Sequence, residues 1–288
     1  MPAGSSIIVC GKRYDIGNKV VTFEDDPAFN AYTPHRTDDP KQIAPFQPAK
    51  GMEGAVMRYR PRRLIGADRS IDSLRKVIRQ FVLHHDGCMD SKMCFHVLHN
   101  ERGLSVHFLI DNDGTIYQTL DLRHKAHHAT TANDVSVGVE IAHPGTFPQP
   151  LSADMRRWYE RDAQGWRMKF PAWMQETGVR TPGFVPRPDR PEMVEGRIHG
   201  KQYWQFDYTP QQYRSLAALC AALSRTFPRI RLEAPRDATG AVRSDQLSEA
   251  ELRAFDGIIG HHHVQKNKTD PGPAMQWDRV LRDARALR

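Results

Sequence analysis

Three short apolar runs within residues 81–143 constrain this chain more than anything else in it. The first, Phe81-Val82-Leu83, ends on the pair His84-His85. The second, Val106-His107-Phe108-Leu109-Ile110, is joined through Asp113-Gly114 to Thr115-Ile116-Tyr117-Gln118. The third, Val135-Ser136-Val137-Gly138-Val139-Glu140-Ile141, is apolar except for a serine and one carboxylate. Runs of this length bounded by turn residues read as buried strands, and Asp-Gly between two of them is a hairpin signal. A histidine at one strand end and a glutamate inside another are well placed to face one cleft. Far off in sequence, Gly257-Ile258-Ile259-Gly260 reads as a strand delivering His261-His262-His263, followed by Lys268-Thr269-Asp270-Pro271-Gly272. The expectation is that the fold brings these two stretches together around a metal.

Helical segments alternate with the strands. Ser70 opens a short helix into the strand Ile78–Leu83. Asp90–Glu101 has Asp90 or Ser91 as N-cap, Phe95 and Leu98 on one face, and Gly103 past its end. Pro210–Phe227 carries the apolar stripe Tyr213, Leu216, Ala217, Leu219, Cys220 and Leu223. Ser248 and Glu251 form a capping box ahead of a short helix ending at Phe255, and Met275–Leu287 ends in basic residues that suit the helix dipole. This order predicts an α/β fold, a central mixed β-sheet flanked by helices.

Two segments extend that core. Residues 1–75 read as an N-terminal extension packed on it, with short strands at Ile7–Cys10 and Lys19–Phe23 and irregular chain over Asp25–Pro61. Residues 76–288 form the main domain. Within it, residues 144–205 are proline-rich and hold four of the five tryptophans. Its middle, Asp154–Phe170, reads as helix with Trp158, Tyr159, Trp166 and Phe170 partly on one face, and the whole segment as an insertion over the cleft that shapes substrate choice. Aromatics there suit sugar faces or core packing.

Composition narrows the partners. Hydrophobic residues make up 39% of the chain, enough for a core, and no run reaches the ~18 apolar residues of a membrane span. Met1–Cys10 lacks the basic start and long apolar run of a secretory signal. A net charge of +7 favours nucleic acid, anionic lipid or an acidic wall polymer. The arginines are scattered rather than gathered into an aromatic-interleaved strip, which argues against nucleic acid. None of the four cysteines forms a Cys-x-x-Cys zinc knuckle. Cys88 and Cys94, with five residues between them, either close a bridge or stay buried as free thiols. Oligomeric state leaves no mark on the sequence.

A catalytic zinc takes three protein donors and keeps a fourth position open. His84, His261 and Asp270 are short-reach donors on strand ends and a Pro-Gly turn. At this point the chain resembles the zinc-dependent N-acetylmuramoyl-L-alanine amidases, whose fold is shared with peptidoglycan recognition proteins and phage amidase lysozymes. The matching pieces, in family order, are Val82-Leu83-His84-His85, His107-Phe108-Leu109-Ile110 with Asp113-Gly114-Thr115-Ile116-Tyr117-Gln118, Ala126-His127-His128-Ala129, Asn133 to Glu140, and Gly260-His261 with Lys268-Thr269-Asp270-Pro271-Gly272-Pro273.

The resemblance implies His84, His261 and Asp270 as zinc ligands, Glu140 as the catalytic glutamate and Lys268 as the lysine beside the third ligand. It implies His85, Val106, His107 and His128 as substrate-binding positions, Val106 standing where the phage enzymes carry a tyrosine. Aspartate as third ligand looks like the AmpD-like branch, since the recognition proteins and phage enzymes use cysteine there. The spacing from His261 to Asp270 is one residue shorter than the family pattern, which leaves His263 as an alternative second ligand. The Cys88–Cys94 spacing is similar to the recognition-protein disulfide, implying an extracytoplasmic setting. The reaction implied is hydrolysis of the amide between the muramic lactyl group and L-alanine of the stem peptide, in peptidoglycan or muropeptides. Glu140, on an apolar strand, would have a raised pKa and shuttle the proton, with Lys268 facing the oxyanion. Two alternatives stand beside it: a recognition protein that binds the same ligand without cutting, and a zinc hydrolase of another amide, such as a delivered toxin.

Overall fold

The structure, a computed structural model, describes residues 4–32, 59–62, 68, 70–174 and 177–288. The chain opens with β1 (Gly4–Val9), β2 (Lys12–Thr22) and the short β3 (Tyr59–Pro61), then α1 (Ile71–Val77) leads into β4 (Gln80–His85). α2 (Ser91–Phe95) runs on as a π turn over His96–Glu101, followed by β5 (Phe108–Ile110), β6 (Ile116–Gln118), β7 (His124–Ala126) and β8 (Ser136–Ile141). Next come α3 (Ala153–Trp158), β9 (Tyr159–Asp162), β10 (Gly165–Met168), β11 (Val194–Ile198) and β12 (Lys201–Gln205). The chain closes with α4 (Pro210–Thr226), α5 (Glu249–Ala254), β13 (Gly257–Gly260), the single turn α6 (His261–Val264) and α7 (Trp277–Ala286).

Seven strands make one mixed sheet in the order β1-β2-β6-β5-β8-β4-β13. β5, β8, β4 and β13 run parallel, whereas β6 pairs antiparallel with β5 across the Asp113-Gly114 turn. Alternation along each strand sorts side chains to the two faces. Phe81, Leu83, Val137, Val139, Ile141 and Ile258 pack into the cluster built with α1, α4 and α7. The residues between them, Val82 and Ile259, join Leu252 and Val264 on the opposite face. His84 and Glu140 share the parity of Val82 and Gly138, so they leave the sheet on that second face, at the carboxyl ends of parallel strands. Open α/β sheets bind ligands at such ends.

α4 forms where the apolar stripe places it, opened by a capping box between Thr209 and Gln212. Ser248 and Glu251 likewise cap α5, and the Asp90 carboxylate accepts from Lys92 N and Met93 N at the start of α2.

Two readings of the sequence differ from the structure. Residues 154–170 are not one helix: α3 stops at Trp158 and β9 and β10 form a hairpin. Gly165, at φ 111°, turns the chain, and Arg167 pairs across the strands with Glu160 and Asp162 while Arg187 also holds Asp162. Aromatic spacing alone does not reveal those cross-strand charges. The first strands also go further than a short pair: β2 is a continuous 11-residue strand whose end pairs parallel with β6. The Gln118 side chain accepts from Ile8 N and donates to Ile8 O, so β1 is stitched to the central sheet. Much of the irregular chain expected over Asp25–Pro61, residues 33–58, lies outside the described residues. No helix among the described residues is long and apolar enough to cross a membrane.

Candidate metal centre and catalytic cleft

Register aligns the site. His84 pairs with Glu140 across β4 and β8, and Gly260 of β13 pairs with Leu83, so His261 follows at the level of His84. Asp270 arrives from the loop after α6, held because His262 N donates to its carbonyl at 3.1 Å. The result is a nearly equilateral triangle of donor atoms. His84 Nδ1 lies 2.9 Å from His261 Nδ1 and 2.9 Å from Asp270 Oδ2, and His261 Nδ1 lies 2.9 Å from the same oxygen. Among the described residues this is the one grouping of three His, Cys, Asp or Glu donors that converges in this way.

The other ring nitrogens fix the tautomers. His261 Nε2 donates to Gln265 Oε1 at 2.7 Å, which leaves Nδ1 with its lone pair. His84 Nε2 lies 3.0 Å from His128 Nδ1, and His128 Nε2 lies 3.2 Å from Ser136 Oγ. A proton on His84 Nε2 therefore places the His128 proton on Nε2, facing the serine. Metal-bound histidines commonly donate their distal N–H in this manner. The His128 ring lies flat on β8 because residue 138 is glycine; a Cβ there would stand 2.5 Å from the ring.

Electrostatics favour a neutral His84 beside an anionic Asp270. Burial, then the neighbouring His261, pushes His84 down to about 4. Burial alone would raise the Asp270 carboxyl, but the contacts with His261, then His84, hold it well below the usual range. Glu140 behaves oppositely: burial, reinforced by the Asp270 and Asp86 carboxylates, raises it well above the ordinary value, and the charge of Lys268 opposes that rise. Its Oε1 stands 3.9 Å from His84 Nδ1, and its Oε2 has no hydrogen-bond partner.

His84, His85, His128, Glu140, His261, Lys268 and Asp270 all line one cavity of about 300 Å³. Both ring nitrogens of His85 are unpartnered there. Val106 and His107 do not line it. Val106 is packed in the cluster beneath α2. His107 is consumed by the fold: its Nδ1 accepts from Gly138 N at 3.1 Å and its Nε2 donates to His124 O at 3.0 Å. Nor does His263 reach the triangle. Its Nδ1 accepts from Gly260 N at 2.9 Å and its Nε2 donates to Arg243 O at 2.7 Å, so both nitrogens are taken up in the backbone around β13.

No disulfide joins Cys88 to Cys94; both are free. A hydrogen bond from Cys94 holds the Cys88 thiol below its usual range, while burial raises Cys94 well above it. Among the described residues, none of 144–205 lines the cavity, although Thr146 bonds Thr269, which does. Three contributors escaped the sequence reading: Gln265, Ser136 and Asp86. Only Gln265 left a signal, four residues beyond His261 on a helical turn. Asp86 lines the cavity while its Oδ1 accepts from the backbone N–H of Cys88, Met89 and His143.

A family model described as N-acetylmuramoyl-L-alanine amidase matches residues 74–273. No curated protein matches the chain. Among solved structures, a Se-Met derivative of AmpD is 19% identical, with 80% of this chain and 89% of that one covered and a TM-score of 0.40. AmiD from E. coli, solved with anhydro-N-acetylmuramic acid-L-Ala-D-γ-Glu-L-Lys, is 15% identical, with 77% and 61% covered and a TM-score of 0.40. The endolysin amidase LysCS from Clostridium intestinale URNW is 15% identical, with 74% and 86% covered and a TM-score of 0.36.

Proposed function

The chain belongs to the N-acetylmuramoyl-L-alanine amidase family and is a peptidoglycan amidase, and we propose that it works as a zinc enzyme, its metal held by His84, His261 and Asp270. It cleaves the amide between the muramic lactyl group and L-alanine of the stem peptide. The observation that carries the metal reading is the triangle of two imidazole nitrogens and one carboxylate oxygen, each 2.9 Å from the others. That spacing is close to the ~3.3 Å between donors on a tetrahedral zinc, and two nitrogens with one oxygen suit that ion. With His261 Nε2–H bonded to Gln265, a proton cannot satisfy all three inward lone pairs at once, whereas a dication can.

When bound, zinc supplies Lewis acidity, lowering the pKa of water to about 7 and polarising the scissile carbonyl. The chain's own residues do the rest. Glu140, beside the triangle and with one oxygen unpartnered, takes a proton from the attacking water as the C–O bond forms. It then gives that proton to the alanine nitrogen as the C–N bond breaks. Its raised pKa makes it basic enough for the first transfer and acidic enough for the second. Lys268, lining the same cavity, donates to the carbonyl oxygen as charge develops there. His85, with both nitrogens unpartnered, and His128 offer polar contacts to substrate. The substrate is wall polymer or its fragments; intact polymer places the enzyme outside the cytoplasmic membrane, the setting favoured here, whereas fragments fit either side. The free Cys88 and Cys94 remove the disulfide that implied the extracytoplasmic setting.

The test is release of stem peptides from purified sacculi with metal content measured on the same samples. Chelation should abolish release and added zinc restore it. Glu140→Gln should keep zinc and fold while turnover drops by roughly 10²–10⁴, the range for a lost general base. A zinc-loaded wild-type protein that binds sacculi and releases nothing would return the recognition-protein reading.

A further inference from the structure

The insertion meets the site from behind. β11 and β12 are joined by His199-Gly200, with Ile198 paired to Lys201. Both loop residues have positive φ, 52° and 75°, the signature of a tight two-residue hairpin turn whose twist matches its strands. From that fixed tip His199 Nε2 donates to the carbonyl of Lys268 at 3.0 Å. At the far end of β12, the fully buried Gln205 makes a two-pronged bond. Its Nε2 donates to Pro271 O at 3.0 Å and its Oε1 accepts from Ala274 N at 2.9 Å.

Close packing reinforces these bonds. A Cβ on Gly272 would stand 2.2 Å from Gln205 Oε1, and one on Gly196 would stand 2.5 Å from Pro273 Cβ. Just before the insertion's first helix, Thr146 Oγ1 lies 2.8 Å from Thr269 Oγ1, and beyond β12 the Tyr208 hydroxyl donates to Pro271 O at 2.6 Å. The segment 267–274 has no helix or strand of its own. It nevertheless carries Lys268 and Asp270, whose side chains must be held to a fraction of an ångström for catalysis. Its inner side is tied to His262, and its outer side leans on the hairpin.

We propose that the β11–β12 hairpin is a positioning element for this segment, His199 setting Lys268 and Gln205 setting the stretch that follows Asp270. The inference rests on the roles of Lys268 and Asp270 given above. It explains how residues 144–205 serve the reaction although none of those described lines the cavity: they act on the backbone that presents its reactive groups.

The decisive variant is His199→Gly, which removes the donor while glycine keeps the left-handed turn without strain. Expected are a kcat lower by about 10- to 100-fold, the scale of a misplaced group, an unchanged KM for a soluble muropeptide and an unchanged zinc dissociation constant. In a Lys268→Ala background the same change should cost nothing further, because its effect runs through Lys268. Full kcat in His199→Gly, or a loss that adds in full to that of Lys268→Ala, would overturn the role of the tip.

Gln205→Met tests the other end. Zinc affinity, read by competition with a chromophoric chelator, should weaken roughly 10–100-fold, as when outer partners of a ligand are lost. Unchanged affinity overturns that half. Should Lys268→Ala itself retain full turnover, the reading of the site fails instead, and the zinc measurement alone decides the hairpin. If Gln205→Met does not fold, the kinetics of His199→Gly decide the proposal.

Discussion

At the scale of single residues, the site depends on which nitrogen of each histidine carries its proton. His84 can offer Nδ1 to a cation only if Nε2 holds the hydrogen, and His128 Nδ1 at 3.0 Å is the acceptor that keeps it there. Ser136 in turn holds His128, and Gly138 gives the ring its seat. Replacing His128 by Leu should therefore weaken zinc binding by roughly 10–100-fold, although His128 is not itself one of the three converging donors. Gly138→Ala should act through the same ring. Its Cβ would push His128 off the strand, costing ~1–3 kcal/mol by overpacking and lowering zinc affinity in parallel. Equilibrium zinc competition on both variants, with melting curves of the zinc-free proteins, checks the pair. Wild-type affinity in His128→Leu would show that His84 needs no such partner.

At the scale of elements, β13 and α6 form a single delivery device. Parallel pairing with β4 sets the height of His261, and the helical turn starting there sends three consecutive histidines in different directions. His261 goes to the triangle, His262 reaches Asp270 O through Nδ1 at 3.0 Å, and His263 reaches Gly260 N and Arg243 O. His263→Ala should consequently leave zinc stoichiometry at one per chain while destabilising the protein. The cost is roughly 1–3 kcal/mol for each buried backbone group left unpaired. Metal analysis together with denaturant unfolding distinguishes this from a ligand role, which would strip the metal.

At the scale of the whole molecule, buried neutral histidines make stability fall in acid. Burial holds His107 well below its usual value and takes His143 down to about 3 from 6.5. Below pH 6.5 the unfolded chain gains protons at these positions that the folded chain refuses. The stability they permit is thus complete above that pH and drains away as pH falls towards the folded value. Tm should drop steadily between pH 6.5 and 4, and His143→Gln, which cannot take the proton, should lose less over the same interval. A flat Tm across that range would refute the idea. The insertion, too, acts at this scale. Met155, Tyr159 and Met168 share a cluster with Met89 and Phe206, and Arg190 and Asp189 reach Asp207 and Arg279. Replacing residues 144–205 with a short linker should give protein that is unfolded or cannot hold zinc. Recovery of a cooperatively melting, zinc-loaded product would mean that the segment is dispensable.

Local chemistry was readable without the fold. Apolar runs ending at His84-His85 and containing Glu140 marked strands, Asp113-Gly114 marked the hairpin between two others, and Ser248 marked a helix start, because each depends on neighbours within a few residues. The charge of the chain and the absence of a long apolar run were equally plain. What the tertiary structure alone decided is everything set by contact across long sequence separations. Whether His261 or His263 turns to the triangle depends on where Arg243 O and Gly260 N lie. Whether Asp154–Phe170 is helix or hairpin depends partly on Arg187, which bonds Asp162 from 25 residues away. The insertion presented proline and tryptophan, a composition that fits a lid as well as a buttress. Its role is carried by His199 and Gln205, which reach backbone carbonyls 69 and 66 residues further on. A backbone carbonyl has no identity in the sequence, so a side chain aimed at one cannot be foreseen from it.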